Sequence, residues 1–296
     1  MAGPRRDTRG IVEARELLAR VDFRRREPAP ELRPYLEHYW LIDWDLTEPY
    51  ASHVVPHPSV NLVFQQYGDE EPWAEVAGIG QGLFTQKLEG RGRVCGVQFR
   101  PGGFRPFAPG RPVSDWTGRR VPLTQAYADL GPVRGPDEPD GSEGPVGPVA
   151  AGTSHVAAEV RRVVGPDDED ARVAALDAFL LGLAPAPDPQ ASQAMALVDR
   201  VRADRSIRRV AELAAREGVS TRSTQRLFSA YVGVGPKWVI LRYRIHEALE
   251  RAETDPAALD WSALAAELGY SDQAHLVRDF TATVGVPPTA YARSAH

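Results

Sequence analysis

The C-terminal third of the chain contains a stretch that occurs twice. The shared motif is Leu213-Ala-Ala215 with Gly218-Val-Ser220 in the first copy and Leu264-Ala-Ala266 with Gly269-Tyr-Ser271 in the second. After one inserted residue the match resumes, with Arg226, Phe228, Gly233 and Pro236 against Arg278, Phe280, Gly285 and Pro288. The offset between the copies is 51 residues before the insertion and 52 after it. Two copies at this period indicate one supersecondary unit that is used twice.

Each copy predicts a helix, a tight turn and a second helix. In the first copy the apolar residues keep helical spacing up to Gly218, which permits the left-handed backbone of a sharp turn. Ser220 is the expected N-cap of the helix that follows. In the second copy Gly269 marks the turn, and either Ser271 or Asp272 is the cap. A helix-turn-helix unit presents its second helix to the major groove of DNA.

The two units are joined by a segment that also has helical spacing. Pro236 suits a first helical turn, and Asp255-Pro256 should end the helix. From Pro236 to Arg251 there are 16 residues, which span about 24 Å as a helix. A spacer of this order can set two reading helices about 34–36 Å apart, which is one turn of DNA.

With these features in place, residues 193–296 resemble the DNA-binding domain of the AraC/XylS family of bacterial transcription regulators. The resemblance covers about a third of the chain and is carried by Ala211, Gly218-Val-Ser220, Arg226-Leu-Phe228, Gly233, Pro236, Arg244, Ala248-Leu249, Ala265, Leu268 to Gln273, Leu276, Arg278, Phe280, Gly285, Pro287-Pro288 and Tyr291. It implies that one protomer places two helices in successive major grooves of double-stranded DNA.

Polar residues on the two second helices are the predicted DNA contacts. They are Thr221, Arg222, Gln225 and Arg226 in the first unit and Gln273, Ala274, His275 and Arg278 in the second. Arginine suits the O6 and N7 atoms of guanine, and glutamine suits N6 and N7 of adenine. In the family pattern the positions of Arg222, Gln225 and Arg226 face bases. The alternative is that Arg222 or Arg226 contacts only phosphate or makes a structural ion pair, and that His275 is a surface residue.

One core position differs between the copies. The first has Thr224 where the second has Leu276, and the family usually has leucine at both. A hydroxyl in a core position should weaken packing. We therefore expect the first unit to be less stable, or its second helix to be slightly rotated.

The net charge of −5 is divided unevenly along the chain. Residues 200–244 contain eleven Lys and Arg against three Asp and Glu, whereas residues 245–296 contain three against eight. Phosphate attraction should therefore lie in the first unit. We expect the first unit to dominate DNA affinity, and the second to adjust register or to contact RNA polymerase.

The N-terminal region has the pattern of strands. Short segments rich in β-branched and aromatic residues alternate with Pro and Gly from residue 28 to about residue 131, which is typical of a small barrel or sandwich. Val55-Pro56, Asn61 to Phe64 and Phe99 to Gly103 resemble the cupin-like sensor half of some AraC-family regulators. The predicted fold class is thus α+β with two domains: a small cupin-like β-barrel with flanking helices, and an all-α domain with two helix-turn-helix units joined by a long helix.

The predicted domain limits follow from composition. Residues 1–183 form the sensing or dimerisation domain, 184–192 a Pro-rich linker and 193–296 the DNA-binding domain. Residues 131–153, with frequent Gly and Pro and no aromatic residue, are expected to be a disordered insert. Two amphipathic helices should follow, and the second carries an apolar stripe of Leu176, Phe179, Leu180 and Leu183. The stripe either forms a homodimer contact or packs on its own barrel.

A small-molecule effector is the expected input of the N-terminal domain. The candidate effector residues are Trp40, Trp44, His57, Phe64 and Arg100. The aromatic residues could instead be core, and Arg100 could pair with an internal acid. His38, His53 and His57 invite a metal-site interpretation, but Pro56 stands between two of them and no carboxylate is well placed. No metal and no cofactor are expected.

The sequence contains no phosphate-binding glycine loop, nucleophile elbow or zinc-protease motif, so we expect no enzyme activity. Two alternatives remain open. One is a regulator without a ligand, whose N-terminal domain only dimerises; the other is a cupin-type metalloenzyme fused to a DNA reader. No signal peptide and no membrane span are predicted, so the expected location is the cytoplasm. Cys95, the one cysteine, should be buried and inert.

Overall fold

The computed structural model describes residues 10–130, 149–254 and 259–294. An antiparallel sheet domain with covering helices is followed by a C-terminal helical domain. Among the described helices, none is long and apolar enough to cross a membrane.

The sheet domain begins with elements that come from the charged N-terminal segment. The elements in chain order are β1 (Ile11–Val12), α1 (Ala14–Leu18), β2 (Val21–Arg26), β3 (Leu36–Val54), β4 (Asn61–Tyr67), β5 (Trp73–Ala77), β6 (Phe84–Phe99) and β7 (Arg120–Pro122). The sequence of this segment allows a short amphipathic helix with Ile11, Ala14, Leu17 and Leu18, or a loosely packed arm; the structure has the helix, α1. The arginine-rich strand β2 was not predicted, because its charged side chains hide the strand pattern.

Two strands are much longer than the sequence predicted. β3 joins two predicted strands into 19 residues, and β6 joins two more into 16. Gly92 and Gly96 lie inside β6 and pair with Trp44 and Trp40. A Cβ at Gly96 would lie 1.9 Å from the Trp40 ring, and one at Gly92 would lie 2.0 Å from the Trp44 ring. These glycines therefore leave room for tryptophan rings in a continuous strand; Gly96 lies inside a predicted strand, and Gly92 lies between two predicted strands.

The predicted closed barrel is wrong. The strand order is β1-β3-β6-β4-β5-β7, with β2 also paired to β3, and no pairing among the described residues joins the two ends of this path. The sheet therefore stays open. Helix α3 (Val149–Val164) packs across β4, β5 and β6, and α4 (Glu169–Gly182) packs beside it. Helices, instead of further strands, cover the apolar face of the sheet.

The apolar stripe of α4 is used within the subunit. Leu176, Phe179, Leu180 and Leu183 are all buried in the main core. The ring of Phe179 meets that of Phe64 on β4 edge to face, with 5.6 Å between centroids. Of the two predicted roles for this stripe, the structure supports packing on its own sheet, so the stripe is not available as a dimer contact.

The segments around α3 and α4 bear on the predicted boundaries. A short α2 (Leu123–Ala126) precedes them. Most of the predicted insert, 131–148, lies outside the described residues, and its last five residues begin α3. Helix α5 (Pro189–Ala203) is capped by Asp188 and so begins inside the predicted linker.

The C-terminal domain is built of helices with the predicted period. After α5 come α6 (Val210–Arg216), α7 (Thr221–Leu227), α8 (Pro236–Thr254), α9 (Trp261–Glu267), α10 (Gln273–Val284) and α11 (Pro288–Ser294). Helix α7 continues into a π-helical segment, Phe228–Val232. The joining helix α8 has 19 residues, or about 28 Å, and Asp255-Pro256, its predicted end, lies outside the described residues.

The two domains share one apolar core. The main cluster of buried residues runs from the sheet through α3, α4 and α5 to Phe228 and Val239 in the helical domain. Gly233 lies at the centre of this contact, and its carbonyl accepts a 2.8 Å hydrogen bond from the Thr117 hydroxyl. A Cβ at Gly233 would lie 2.8–2.9 Å from side-chain atoms of Ile79, Val113 and Thr117. The position of the first helix-turn-helix unit is therefore fixed against the sheet domain.

Within the sheet domain, an ionic cluster around Asp43 links β2, β6 and α4 to β3. Its carboxylate accepts hydrogen bonds from Arg24 of β2, Arg93 of β6 (2.6 Å) and Arg172 of α4 (3.0 Å). Arg93 also donates to the carbonyls of Val164 and Pro166 between α3 and α4. Burial raises the pKa of Asp43, but the hydrogen bonds from Arg93 and Arg172 outweigh it, so the net shift is downward. This cluster ties α4 to the sheet.

We predict that Asp43→Asn lowers the free energy of unfolding by about 3 kcal/mol at pH 7, because it leaves Arg172, which is buried, without its counter-charge. A carboxyl group whose pKa is lowered by folding stabilises the native state above its unfolded pKa, near 4, and this stabilisation is lost as the pH falls further. The difference between the wild type and the variant should thus shrink below about pH 4 in urea unfolding monitored by circular dichroism.

Asp45→Asn is the matched control, because Asp45 is exposed on the same strand. A loss of stability that is equal for the two variants would show that the cluster does not stabilise the fold.

Candidate nucleic-acid interface

The first helix-turn-helix unit consists of α6 and α7. Helix α6 ends next to Gly218, whose φ of +64° is the left-handed conformation that the sequence predicted. Ser220 caps α7, since its hydroxyl oxygen accepts a hydrogen bond from the main-chain N–H of Ser223. The predicted turn and cap of this unit are both present in the structure.

The predicted contact residues of α7 share its outer face. Thr221, Arg222, Gln225 and Arg226 are all exposed, while Thr224 and Phe228 are buried on the opposite side. Within the described residues neither Arg222 nor Arg226 makes an ion pair. Both guanidinium groups are thus available to an external anion or base edge.

Thr224 is 1 % exposed, as expected of a core position. Its hydroxyl donates a 3.1 Å hydrogen bond to the carbonyl of Ser220, one turn earlier in the same helix. The hydroxyl therefore has a local partner, which removes most of the expected cost of burying it. The main chain of α7 widens into its π-helical segment one turn later.

The second unit has the same plan with a longer turn. Gly269 has φ +76°, and the side chain of Asp272 caps α10 by accepting a 2.7 Å hydrogen bond from the N–H of His275. The caps Ser220 and Asp272 are thus 52 residues apart, so the inserted residue lies in the second turn. Of the two predicted caps for this helix, the structure selects Asp272 over Ser271.

The predicted contacts of α10 differ in availability. Gln273, Ala274 and Arg278 are exposed, and Arg278 makes no ion pair in the part of the chain that the structure describes. His275 is half-buried, with its ring 3.2 Å from the Ser271 hydroxyl and edge to face with Tyr270. His275 is therefore engaged within its own unit.

Part of the positive charge near the first unit is paired inside the protein. Arg200 pairs with Glu217, Arg202 with Glu37, Arg205 with Glu247 and Arg216 with Asp204. The two arginines of α7 make no such pair among the described residues. Arg222 and Arg226 thus contribute unpaired positive charge to the outer face of the unit.

The five candidate effector residues do not form one site. Trp40 and Trp44 belong to an apolar cluster with Val63, whereas Phe64, the next residue on β4, is buried in the main core on the other face of the sheet. His57 lies at the domain contact, with its ring 5.5 Å from that of Tyr243 on α8.

The remaining candidate, Arg100, pairs with Asp199 of α5 and donates to the carbonyl of Pro34. Of the two predicted roles of Arg100, the structure therefore shows the ion pair with an internal acid. Trp44 borders a pocket of about 680 Å³ that is lined mainly by charged groups, including Asp43 and Arg91.

The three histidines considered for a metal are also separate. His53 hydrogen-bonds Thr85, and His57 hydrogen-bonds Ser59 next to it. Across the described ranges, no three His, Cys, Asp or Glu side chains are grouped so that they could hold a metal ion. Cys95 is buried, and burial raises the pKa of its thiol to about 11.

Comparison with known families supports the geometry of the helical domain. Residues 213–294 match a family model described as a helix-turn-helix domain, and residues 24–122 match a domain of unknown function, DUF6597. No match was found among the curated proteins. The C-terminal part of the chain therefore contains a helix-turn-helix domain.

Solved structures of ToxT from Vibrio cholerae are similar to the chain over most of its length. One crystal structure is 12% identical, with a TM-score of 0.40, and covers 87% of this chain and 97% of its own. Another, of ToxT with a bound unsaturated fatty acid, is 10% identical, with a TM-score of 0.35, and covers 92% and 91%.

We predict that Gly218→Ala destabilises the first turn by about 1 kcal/mol, because an L-residue is strained at a positive φ even though a Cβ there would meet open space. Gly235→Ala is the matched control, since a Cβ at Gly235 also meets open space and its φ is not in the left-handed range. Thermal unfolding of the two variants measures the difference. If Gly218→Ala were as stable as Gly235→Ala, the assignment of a left-handed conformation to Gly218 would be wrong.

Proposed function

We propose that the protein is a sequence-specific regulator of transcription that binds double-stranded DNA through both α7 and α10 of one protomer. The observation that carries the proposal is the set Arg222, Gln225 and Arg226, which is exposed on the outer face of a capped second helix and has no side-chain partner among the described residues. Hydrogen-bond donors and acceptors of this kind match the edges of guanine and adenine in the major groove. Such a protein acts where the DNA is, which in a bacterium is the cytoplasm.

The two units are proposed to contribute unequally. Helix α7 presents two arginines and a glutamine, whereas α10 presents Gln273, the methyl group of Ala274, and Arg278 beside the acidic cap Asp272. Phosphate attraction and base contacts therefore favour α7. Helix α10 adds a second and weaker reading position, and its acidic surroundings suit a contact with RNA polymerase.

The sheet domain is proposed to control DNA binding by α7 and α10. It holds Gly233, at the end of the α7 segment, and it also contacts α8, where Arg242 donates a 3.1 Å hydrogen bond to the carbonyl of Gln81. Burial lowers the pKa of Arg242 to about 10, so the domain contact includes a costly buried cation. A change in the sheet domain would therefore reach α7 and α8 directly.

What acts on the sheet domain is a small-molecule effector or a second protomer. The pocket beside Trp44 is the proposed effector site, because it is open to solvent and its lining of Arg and Asp side chains suits a polar, charged ligand. A homodimer without any ligand is the alternative. A thermal-shift screen of charged metabolites separates the two, because a ligand that binds the native state raises the melting temperature.

We predict that Arg226→Ala relaxes base preference at one position and weakens specific binding by about 1–3 kcal/mol. Arg278→Ala should do the same, more weakly, at a second position about one helical turn away. The measurement is selection of random duplex DNA by the full-length protein and its variants, followed by affinities for the selected sequences. Arg33→Ala is the control, because it removes an equal charge from an exposed site in the sheet domain.

A loss of affinity in Arg226→Ala that is equal for all sequences would make Arg226 a phosphate contact. If selection gave a single box, and only Arg226→Ala altered it, α10 would not contact bases. Failure of the wild type to select any sequence at low salt, both alone and with a ligand found in the thermal-shift screen, would refute the proposed function itself.

A further inference from the structure

Arg208, in the segment before α6, reaches from the first helix-turn-helix unit to the second. Its Nη2 atom donates hydrogen bonds of 3.4 Å and 3.3 Å to the carbonyls of Ala266 and Glu267, at the C-terminal end of α9. Carbonyls at the end of a helix have no partner within the helix and carry its negative pole, so a guanidinium group there is favourable. Arg208 could not be predicted as a functional residue, because nothing near it in the chain distinguishes it from the other arginines.

The contact depends on a glycine in the second unit. The side chain of Arg208 lies across Gly269, where a Cβ would be 2.6 Å from Cδ and 2.7 Å from Nε of Arg208. Gly269 therefore serves two purposes: it permits the left-handed turn between α9 and α10, and it leaves room for Arg208. The turn that positions α10 is packed directly against the first unit.

The joining helix completes the contact. Arg244 of α8 donates a 2.9 Å hydrogen bond to the carbonyl of Arg208, and its guanidinium group lies 5.8 Å from the ring centroid of Tyr270. The main chain that carries Arg208 is held by Glu212, whose carboxylate accepts hydrogen bonds from the N–H groups of Arg208 and Arg209. These hydrogen bonds lower the pKa of Glu212, so its carboxylate stays ionised.

We propose that Arg208 is a positioning residue that fixes α10 relative to α7 and so sets the distance between the two DNA boxes that one protomer reads. The proposal rests on the proposed function, since it concerns how both helices meet one duplex. Each base pair added between the boxes moves the second box by about 3.4 Å and rotates it by about 34° around the duplex. A rigid pair of helices therefore accepts one spacing, and a loosened pair accepts several.

The first experiment measures spacing preference directly. Duplexes carry the two boxes selected by the wild type, separated by spacers that differ by single base pairs, and the bound fraction is sequenced for the wild type, Arg208→Ala and Arg209→Ala. Arg209 is the matched control, because it is adjacent, exposed and equally charged, while no hydrogen bond from its side chain to the second unit is present within the described residues.

We expect Arg208→Ala to reduce the enrichment of the preferred spacing over its neighbours by about three- to tenfold, since two hydrogen bonds to main-chain carbonyls are lost. Base preference within each box should stay unchanged, and Arg209→Ala should keep the wild-type spacing. An unchanged spacing profile in Arg208→Ala would overturn the proposal. So would an equal loss of affinity in both variants at every spacing, which would make Arg208 a phosphate contact.

The second experiment needs no DNA, so it tests the positioning role even if the proposed function fails. Spin labels are attached to cysteines introduced at Ser229 and Ala282, which are exposed in the segment after α7 and on α10, while the native Cys95 is buried. The distance distribution between the labels should be narrow in the wild type and in Arg209→Ala and broad in Arg208→Ala. A distribution that stays narrow in Arg208→Ala overturns the proposal, whatever the DNA selection gives.

Discussion

The main chain at Gly233 is pressed against the sheet domain so closely that no side chain fits between them. Ile79, Val113 and Thr117 occupy the space that a Cβ would need, and the Thr117 hydroxyl holds the Gly233 carbonyl. The π-helical segment that follows α7 ends just before this residue, and the joining helix α8 begins at Pro236. The first unit therefore takes its position from this contact with the sheet domain, and Arg242 and Tyr243 of α8 extend the contact through Gln81 and His57.

The helical half of the fold could be predicted because its determinants are local. The spacing of apolar residues, the glycines at positive φ and the capping side chains all lie within a few residues of the feature that they specify. The sheet domain was less predictable. The open sheet depends on α3 and α4, which come long after the strands that they cover, and the glycines inside β6 are explained only by the tryptophans of β3 that lie over them.

The same division applies to the candidate site. Exposure of Arg222 and Arg226 followed from helical periodicity, whereas the grouping of effector candidates failed because neighbours on a strand point to opposite faces, as Val63 and Phe64 do. The cluster around Asp43 and the reach of Arg208 join residues that are far apart in the chain. No pattern in one sequence marks such a pair, because each arginine has many acids or carbonyls as possible partners.

The turn before α10 is one residue longer than the turn before α7, and the two helices carry different side chains at matching positions. A protomer bound through both helices is consequently not symmetric along the duplex: it has a leading end that is basic and a trailing end that is acidic. Inverting its binding site in a promoter would leave every base contact intact and yet turn the sheet domain to face the opposite direction. The orientation of a site, and not only its presence, would then determine what the bound protein can touch.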